Sequence, residues 1–154
     1  LILLVKKICE LIESGADFET VVEKAELYSR HTHVVFALSS FNNLVKNGRM
    51  SKIVGFVANK LGFWGIGIGS EQGTIEIKQK IRGSKKALDA IIEDMKERGY
   101  NCGKVVISHC RNAEFAESVK SAIQSVWDKA EVKIVRARGL CSYYAEKGGL
   151  IIGF

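Results

Sequence analysis

The residues from Val35 to Lys52, VFALSSFNNLVKNGRMSK, combine an apolar strand, a short amphipathic helix and a basic turn. The helical pattern ends at Gly48, where glycine supplies the positive φ that commonly terminates a helix. Arg49 follows directly, and an arginine fixed at a helix end is well placed to meet an anion. The alternative interpretation is a solvated basic edge formed by Arg49 together with Lys46 and Lys52.

Outward from this stretch, the hydrophobic periodicity predicts an alternation of helices and strands along the chain. A first helix is expected to end at Gly15, and Asp17 is suited to capping the second. The other helices are predicted over 41–47 and 51–60 and from Ser84 and Asn112 onward. Strands are predicted over 33–38, 63–68, 74–81, 104–108, 132–135 and 150–154, and an irregular loop over 136–149.

These elements predict an α/β fold: a two-layer sandwich whose mixed six-stranded sheet has helices on one face, plus an N-terminal helical segment. The hairpin of strands 63–68 and 74–81 requires antiparallel pairing, whereas the strand and helix order after Lys104 favours parallel pairing through right-handed crossovers. The 154 residues fit a domain of ordinary size. Because the chain opens at Leu1 inside an apolar helical pattern, we expect a longer protein, with residues 1–30 packing on a missing N-terminal half.

The composition limits the classes of function. A net charge of +6 and a pI of about 9.2 permit binding to phosphate, carboxylate or nucleic acid without selecting among them. No apolar segment approaches the roughly 18 residues of a membrane span. The four cysteines form no CxxC pair, so neither a zinc site nor a disulfide framework is predicted, and a cytoplasmic location is expected. His31 and His33 lack a third ligand, so no metal or other cofactor is predicted.

A glycine-rich stretch, GFWGIGIG, runs from Gly62 to Gly69. It fits neither the dinucleotide-binding pattern Gly-x-Gly-x-x-Gly nor the P-loop, and a strand rather than a helix follows it. The period of two places Gly65, Gly67 and Gly69 on one face of a strand. A strand face without side chains leaves room for a ligand against the backbone or for a closely packed helix.

Two other classes of function remain open on the residues alone. A thiol-dependent enzyme would use Cys141 or the pair His109 and Cys110, although adjacent strand residues point to opposite faces, which disfavours activation of Cys110 by His109. A basic module would bind nucleic acid or a partner protein through a charged run that lacks interleaved aromatic residues, which favours a solvated face. Its members are Lys78, Lys80, Arg82, Lys85 and Lys86, with Arg136 and Arg138 as a second group.

Two motifs resemble the DegV family, the bacterial fatty-acid-binding proteins. The order of apolar strand, small polar pair, amphipathic turn and Asn-Gly-Arg-Met-Ser-Lys within 35–52 resembles the segment that opens the second half of these proteins. DegV proteins commonly have a loop ending Thr-His-x-Gly-Pro-Gly before a final apolar strand, and Gly148-Gly149 with LIIGF occupies that place here. Tyr144 stands where the family usually has its histidine, and a tyrosine hydroxyl can still hydrogen-bond a carboxylate.

The resemblance implies that residues 31–154 are the C-terminal α/β domain of a DegV-like lipid-binding carrier, which is not itself an enzyme. Such proteins hold one long-chain fatty acid between two halves, and some present its carboxylate to a fatty acid kinase. The implied partners are therefore a long-chain fatty acid and such a kinase, with no nucleic acid. Arg49 carries over from the family's Gly-Arg turn as the residue nearest the head group, with Tyr144 as a second contact. The residues expected to border the acyl chain are Gly65, Gly67 and Gly69.

Overall fold

The computed structural model of the protein describes residues 1–49, 62–69 and 75–154. Within these ranges the helices are α1 (Ile2–Glu13), α2 (Phe18–Arg30), α3 (Asn42–Lys46), α4 (Ser84–Glu97), α5 (Ala113–Val126) and α6 (Gly139–Ala145). The strands are β1 (Val34–Leu38), β2 (Phe63–Gly69), β3 (Ile75–Arg82), β4 (Lys104–His109), β5 (Glu131–Arg136) and β6 (Leu150–Gly153). The helix predicted over 51–60 lies outside the described residues.

Two helix ends have the structure that the sequence predicted for them. The Asp17 side chain accepts a hydrogen bond from the backbone N–H of Thr20 at 2.8 Å and so caps α2, and hydrogen bonding to Thr20 lowers the pKa of Asp17. Gly48 has a φ of +67° directly after α3, the terminating conformation expected from the sequence.

The irregular loop predicted over 136–149 contains a helix, α6. Because Ala145 is the only buried residue of α6, the sequence shows no apolar repeat from which this helix could be predicted.

The strands form one six-stranded sheet in the order β3-β2-β1-β6-β4-β5. Strands β4 and β5 pair in parallel, and every other neighbouring pair is antiparallel. The α/β class and the mixed sheet expected from the sequence are therefore confirmed. Strand β6 lies between β1 and β4 and runs antiparallel to both, which confines parallel pairing to the crossover through α5.

The alternation of side chains along the strands gives the sheet two faces. The first face packs against α4 and α5, and its buried strand residues are Val35, Ala37, Ile66, Val105, Ile107, Leu150 and Ile152. The second face carries Phe36 and Leu38 and packs with a smaller cluster from α3 and α6. Helix α1 also lies on the second face, where buried Leu3 approaches Gly153. Helices thus cover both faces rather than the one face expected from the sequence, because Phe36 and Leu38 point away from the main core and are buried by the short helices α3 and α6.

A buried carboxylate joins α4 to β3. Asp94 is 4% exposed, and its two oxygens accept hydrogen bonds from Lys78 Nζ and Arg98 Nε, each at 2.9 Å. Lys78 also donates to Glu97 at 3.0 Å, and its hydrogen bonds to Asp94 and Glu97 raise the pKa of the amine. Lys78 lies where the pairing of β2 with β3 shifts register, so this member of the predicted basic run has a structural role.

We expect Asp94→Asn to lower the free energy of unfolding by about 2 kcal/mol, because the amide loses its charge and turns a donor toward one of two cations. Denaturation in guanidinium chloride measures the change. Asp89→Asn, at an exposed position of the same helix, is the matched control and should cost less than about 0.5 kcal/mol. Equal effects of the two substitutions would show that these ion pairs contribute no stability.

Candidate ligand-binding face

The second face of the sheet carries an apolar groove of about 440 Å³. Val34, Val106 and Ile151 contribute side chains from three strands, and the residues 1–4 form a wall along one side. Cys141 reaches the groove from α6. The groove therefore lies between the N-terminal helix and the strands β1, β6 and β4, on the face opposite the main core.

A smaller cavity of about 80 Å³ lies on the same face, under α3 and α6. Its lining residues are Phe36, Leu38, Leu44, Ile75, Tyr144, Ala145 and Ile151. Ile151 lines both cavities, so the two spaces lie side by side at β6. We call the surface that lines them, from Ile75 on β3 through Phe36 and Ile151 to Val106 on β4, the apolar track.

The three predicted glycines do share the second face. Gly65 and Gly67 pair with Leu38 and Phe36 of β1, and Gly69 lies two residues further along the same strand, beside Val34. Aromatic rings of this chain fill the space beside Gly65 and Gly67. That space is neither empty nor occupied by the backbone of a helix. A Cβ on Gly65 would collide with the Phe41 ring, and one on Gly67 would collide with the Phe36 ring and the carbonyl oxygen of Glu76.

The glycines therefore act on the apolar track through the rings they admit. The Phe36 ring lies against Gly67, and Phe36 is one of the residues that line the smaller cavity. Gly69 is less crowded, since its Cβ would lie 3.4 Å from Val34 Cγ1, an ordinary contact. Direct contact between these glycines and a ligand stays a prediction.

The structure separates the two predicted head-group residues. Tyr144 is partly buried, lines the smaller cavity and packs edge-on against the Tyr143 ring, with centroids 5.2 Å apart. Arg49 is exposed and lines neither cavity of the apolar track. Its backbone N–H donates to the carbonyl oxygen of Leu44 at 2.9 Å, which fixes the turn that carries it. Tyr144 thus lies at the track, and Arg49 lies beyond α3.

One polar residue between α3 and α6 was not predicted from the sequence. The Glu146 carboxylate accepts hydrogen bonds from the Asn43 backbone N–H at 2.7 Å and from the Ser40 hydroxyl at 2.5 Å. Its backbone has φ 51° and ψ 178°, a conformation that costs a non-glycine residue about 1–3 kcal/mol. The available signal was weak: a lone acidic residue near Gly148 in a segment predicted to be loop.

The glycine pair of the C-terminal motif has a steric cause. A Cβ on Gly148 would approach Ser39 Oγ to 2.6 Å, and one on Gly149 would collide with the carbonyl oxygen of Ala145. Asn112 fixes the same turn, because its side-chain amide donates to the carbonyl oxygen of Gly148 at 2.8 Å. The loop before β6 is therefore held close to the end of β1.

The structure does not bring together His109 and Cys110, one of the two alternatives for a thiol site. His109 pairs with Leu150 on the first face, and its Nδ1 accepts a hydrogen bond from the Asn112 backbone N–H at 3.1 Å. Cys110 packs with the cluster on the second face, where its sulfur lies 3.7 Å from the carbonyl oxygen of Ser142. The imidazole and the thiol thus face opposite sides of the sheet.

Within the described residues, no group of three or more histidine, cysteine, aspartate or glutamate side chains is arranged to hold a metal ion. Across residues 1–49, 62–69 and 75–154, no helix combines the length and the apolar character that crossing a membrane requires.

The fold and the second face of the sheet together define an α/β domain with an open apolar surface opposite its core. Comparison with known proteins gives the family: the sequence model described as "Uncharacterised protein, DegV family" matches residues 1–154. The chain therefore belongs to the DegV family, as the two sequence motifs indicated.

The relatives and solved structures agree with this assignment. A DegV domain-containing protein of Streptococcus pyogenes serotype M1 is 43% identical over 152 residues, which cover 99% of this chain and 54% of the relative. The Streptococcus pneumoniae fatty acid kinase (Fak) B3 protein, solved loaded with linoleic acid, is 41% identical with a TM-score of 0.95, covering 99% of this chain and 54% of that one. A Eubacterium eligens DegV family protein, solved loaded with heptadecanoic acid, is 36% identical with a TM-score of 0.95, covering 98% and 55%. The chain spans about half the length of the curated relatives it matches.

Proposed function

We propose that this chain is the C-terminal half of a fatty-acid carrier and that the apolar track covers one side of the bound acyl chain. The observation that carries the proposal is that two apolar cavities share Ile151 as a lining residue, on the sheet face opposite the core. Similar solved structures from the same family hold linoleic and heptadecanoic acids. A long, narrow and weakly polar surface is the shape that an acyl chain requires.

The energetics fit a site shared between two halves. Each buried CH₂ group contributes about 0.8 kcal/mol, so a long acyl chain gains ample affinity once both of its sides are covered. The groove of this chain is bounded on one side by the sheet and by α1. With this half alone, the other side of the acyl chain would stay in water and lose part of that gain. The second half is therefore needed for retention of the ligand.

Residues 1–30 support the proposal of a missing partner half. Leu3 is buried against the sheet, and Glu10 forms an ion pair with Lys104 that ties α1 to β4. Large apolar side chains on the outer surfaces of α1 and α2 are nevertheless exposed, Phe18 by 76%. Other members of this exposed set are Ile2, Val5, Ile12, Val22 and Leu27. We propose that these side chains pack on the N-terminal half of the complete protein.

The role we propose is that of a carrier, with chemistry performed by a partner kinase. His109 and Cys110 are on opposite faces, which argues against a thiol mechanism at that pair. The carboxylate of the bound fatty acid would be presented to a fatty acid kinase near α3 and α6, where we place Arg49 and Tyr144 as head-group contacts. All four cysteines are free, as is usual in a reducing cytoplasm, where we place the protein.

Lipid extraction of the purified protein tests the shared site. We expect the full-length protein to carry one fatty acid per chain and the 154-residue chain to carry almost none, because half of the site leaves the acyl chain in water. Mass spectrometry of the extracts, with protein quantified in parallel, measures both ratios. A 154-residue chain that retains fatty acid as well as the full-length protein would contradict the division of the site.

Arg49 is expected to favour the ionised head group through a charge-assisted hydrogen bond, directly or through water. Arg49→Ala in the full-length protein should weaken binding of linoleic acid by about tenfold and of linoleyl alcohol much less. Lys46→Ala, at an exposed position in the last turn of α3, is the matched control for loss of a cation. Equal losses for acid and alcohol would make Arg49 a packing residue.

A further inference from the structure

Glu146 joins two segments that are more than 100 residues apart in the sequence. One carboxylate oxygen accepts from the Asn43 backbone N–H at 2.7 Å, and the other accepts from the Ser40 hydroxyl at 2.5 Å. The Asn42 side-chain amide approaches that second oxygen to 3.5 Å. Glu146 itself follows α6, and its three partners lie at the start of α3. The carboxylate therefore fixes the beginning of α3 against the end of α6.

The two joined segments are those that carry the proposed head-group residues. Tyr144 lies two positions before Glu146 on α6, and Arg49 follows α3 through the turn at Gly48. Two further hydrogen bonds run between these helices, from the Asn43 side chain to the Tyr143 carbonyl oxygen at 2.8 Å and from the Asn47 side chain to the Tyr143 hydroxyl at 3.0 Å. Glu146 thus belongs to a set of hydrogen bonds that hold the helix carrying Tyr144 against the helix that precedes Arg49.

The chemistry of this contact suits a carboxylate in particular. The Asn43 N–H, the Ser40 hydroxyl and the Asn42 amide all present donors toward it. An ionised carboxylate has only acceptors and can satisfy all of them. A glutamine keeps one acceptor and turns its own donor toward the others, so it would satisfy the site in part.

The backbone conformation of Glu146 indicates that this position holds a glutamate because of the contact its side chain makes. Its φ of 51° with ψ of 178° lies close to a region that glycine occupies at little cost and other residues rarely adopt. A glycine would therefore relieve strain at this position. The chain instead keeps a glutamate whose carboxylate reaches across to α3, which points to a use for that contact beyond the turn itself.

We infer that Glu146 is a positioning residue for the head-group end of the site, setting the spacing of Tyr144 and Arg49 and through it the preference for a fatty acid over the matching alcohol. This inference rests on the proposed function. A purely electrostatic role has the opposite sign, because removing a nearby negative charge would strengthen binding of an anionic ligand. The two roles are therefore distinguishable in one variant.

The test compares Glu146→Gly and Glu146→Gln in the full-length protein, with linoleic acid and linoleyl alcohol as the probes in a titration. We expect Glu146→Gly to weaken binding of the acid by about tenfold and of the alcohol by less than about twofold. Glu146→Gln should recover part of the loss, because one acceptor remains for the Asn43 N–H. The melting temperature of Glu146→Gly should stay near that of the wild type, since relief of backbone strain offsets the lost hydrogen bonds. Glu117→Gln, at an exposed position on α5, is the control for the change of charge.

Each outcome decides a different point. Tighter binding of the acid by Glu146→Gly, or an unchanged ratio of acid to alcohol affinity, would overturn the positioning role. A fall in melting temperature with equal loss of both ligands would make Glu146 a structural residue only. A wild-type protein that binds neither probe would overturn the proposed function, and this inference with it.

Discussion

Gly67→Val should strongly destabilise the fold, lowering the free energy of unfolding by about 3 kcal/mol or more. The new Cβ would collide with the carbonyl oxygen of Glu76 on the neighbouring strand and with the ring of Phe36. A backbone oxygen in a paired strand cannot move without breaking the pairing of β2 with β3. Phe36 is only 7% exposed, so the ring has little space to rotate away.

Gly69→Val is the matched control, because Gly69 lies on the same strand and the same face. Among the described residues, its Cβ would meet only Val34 Cγ1, at 3.4 Å, and the substitution should cost less than about 1 kcal/mol. Urea denaturation of both variants in the full-length protein gives the comparison, and acyl-chain preference is measured alongside. An intact fold with a shorter preferred acyl chain for Gly67→Val would instead place the ligand directly against this glycine.

Local patterns in the sequence were sufficient for most of the fold. The alternation in 74–81 predicted a strand that the structure has as β3, and the cap at Asp17 and the stop at Gly48 were predicted from residue chemistry alone. These features depend on neighbours within a few positions, where spacing carries the information. The family motifs then added the expected class of ligand, which periodicity alone does not indicate.

Contacts between distant residues were not predictable in the same way. Helix α6 has one buried residue, Ala145, so its environment is set by α3 and by β1 rather than by its own pattern. The Glu146 contact joins residues more than 100 positions apart, and no local rule pairs them. The rings beside Gly65 and Gly67 likewise come from other elements, which is why the sequence left the occupant of that face open between ligand and helix.

The residue shared by the two cavities allows a direct test of the apolar track. Ile151 lines both the groove of about 440 Å³ and the cavity of about 80 Å³. Ile151→Glu in the full-length protein should lower affinity for linoleic acid by about a hundredfold, which corresponds to about 2.7 kcal/mol, because it places an unpaired carboxylate beside the acyl chain. Val126→Glu, at an exposed apolar position on α5 away from the track, should leave affinity unchanged.

A second substitution at the same position separates loss of the ligand from loss of the fold. Ile151→Phe keeps the surface apolar but adds volume beside both cavities, so we expect retained binding with a preference for shorter acyl chains. Titration with saturated fatty acids of increasing length, together with melting curves, measures both effects. If Ile151→Glu binds linoleic acid like the wild type, or if Ile151→Phe leaves the length preference unchanged, the acyl chain does not cross β6. Because Ile151 is the residue that the two cavities share, that result would remove the structural basis for placing the ligand on the second face.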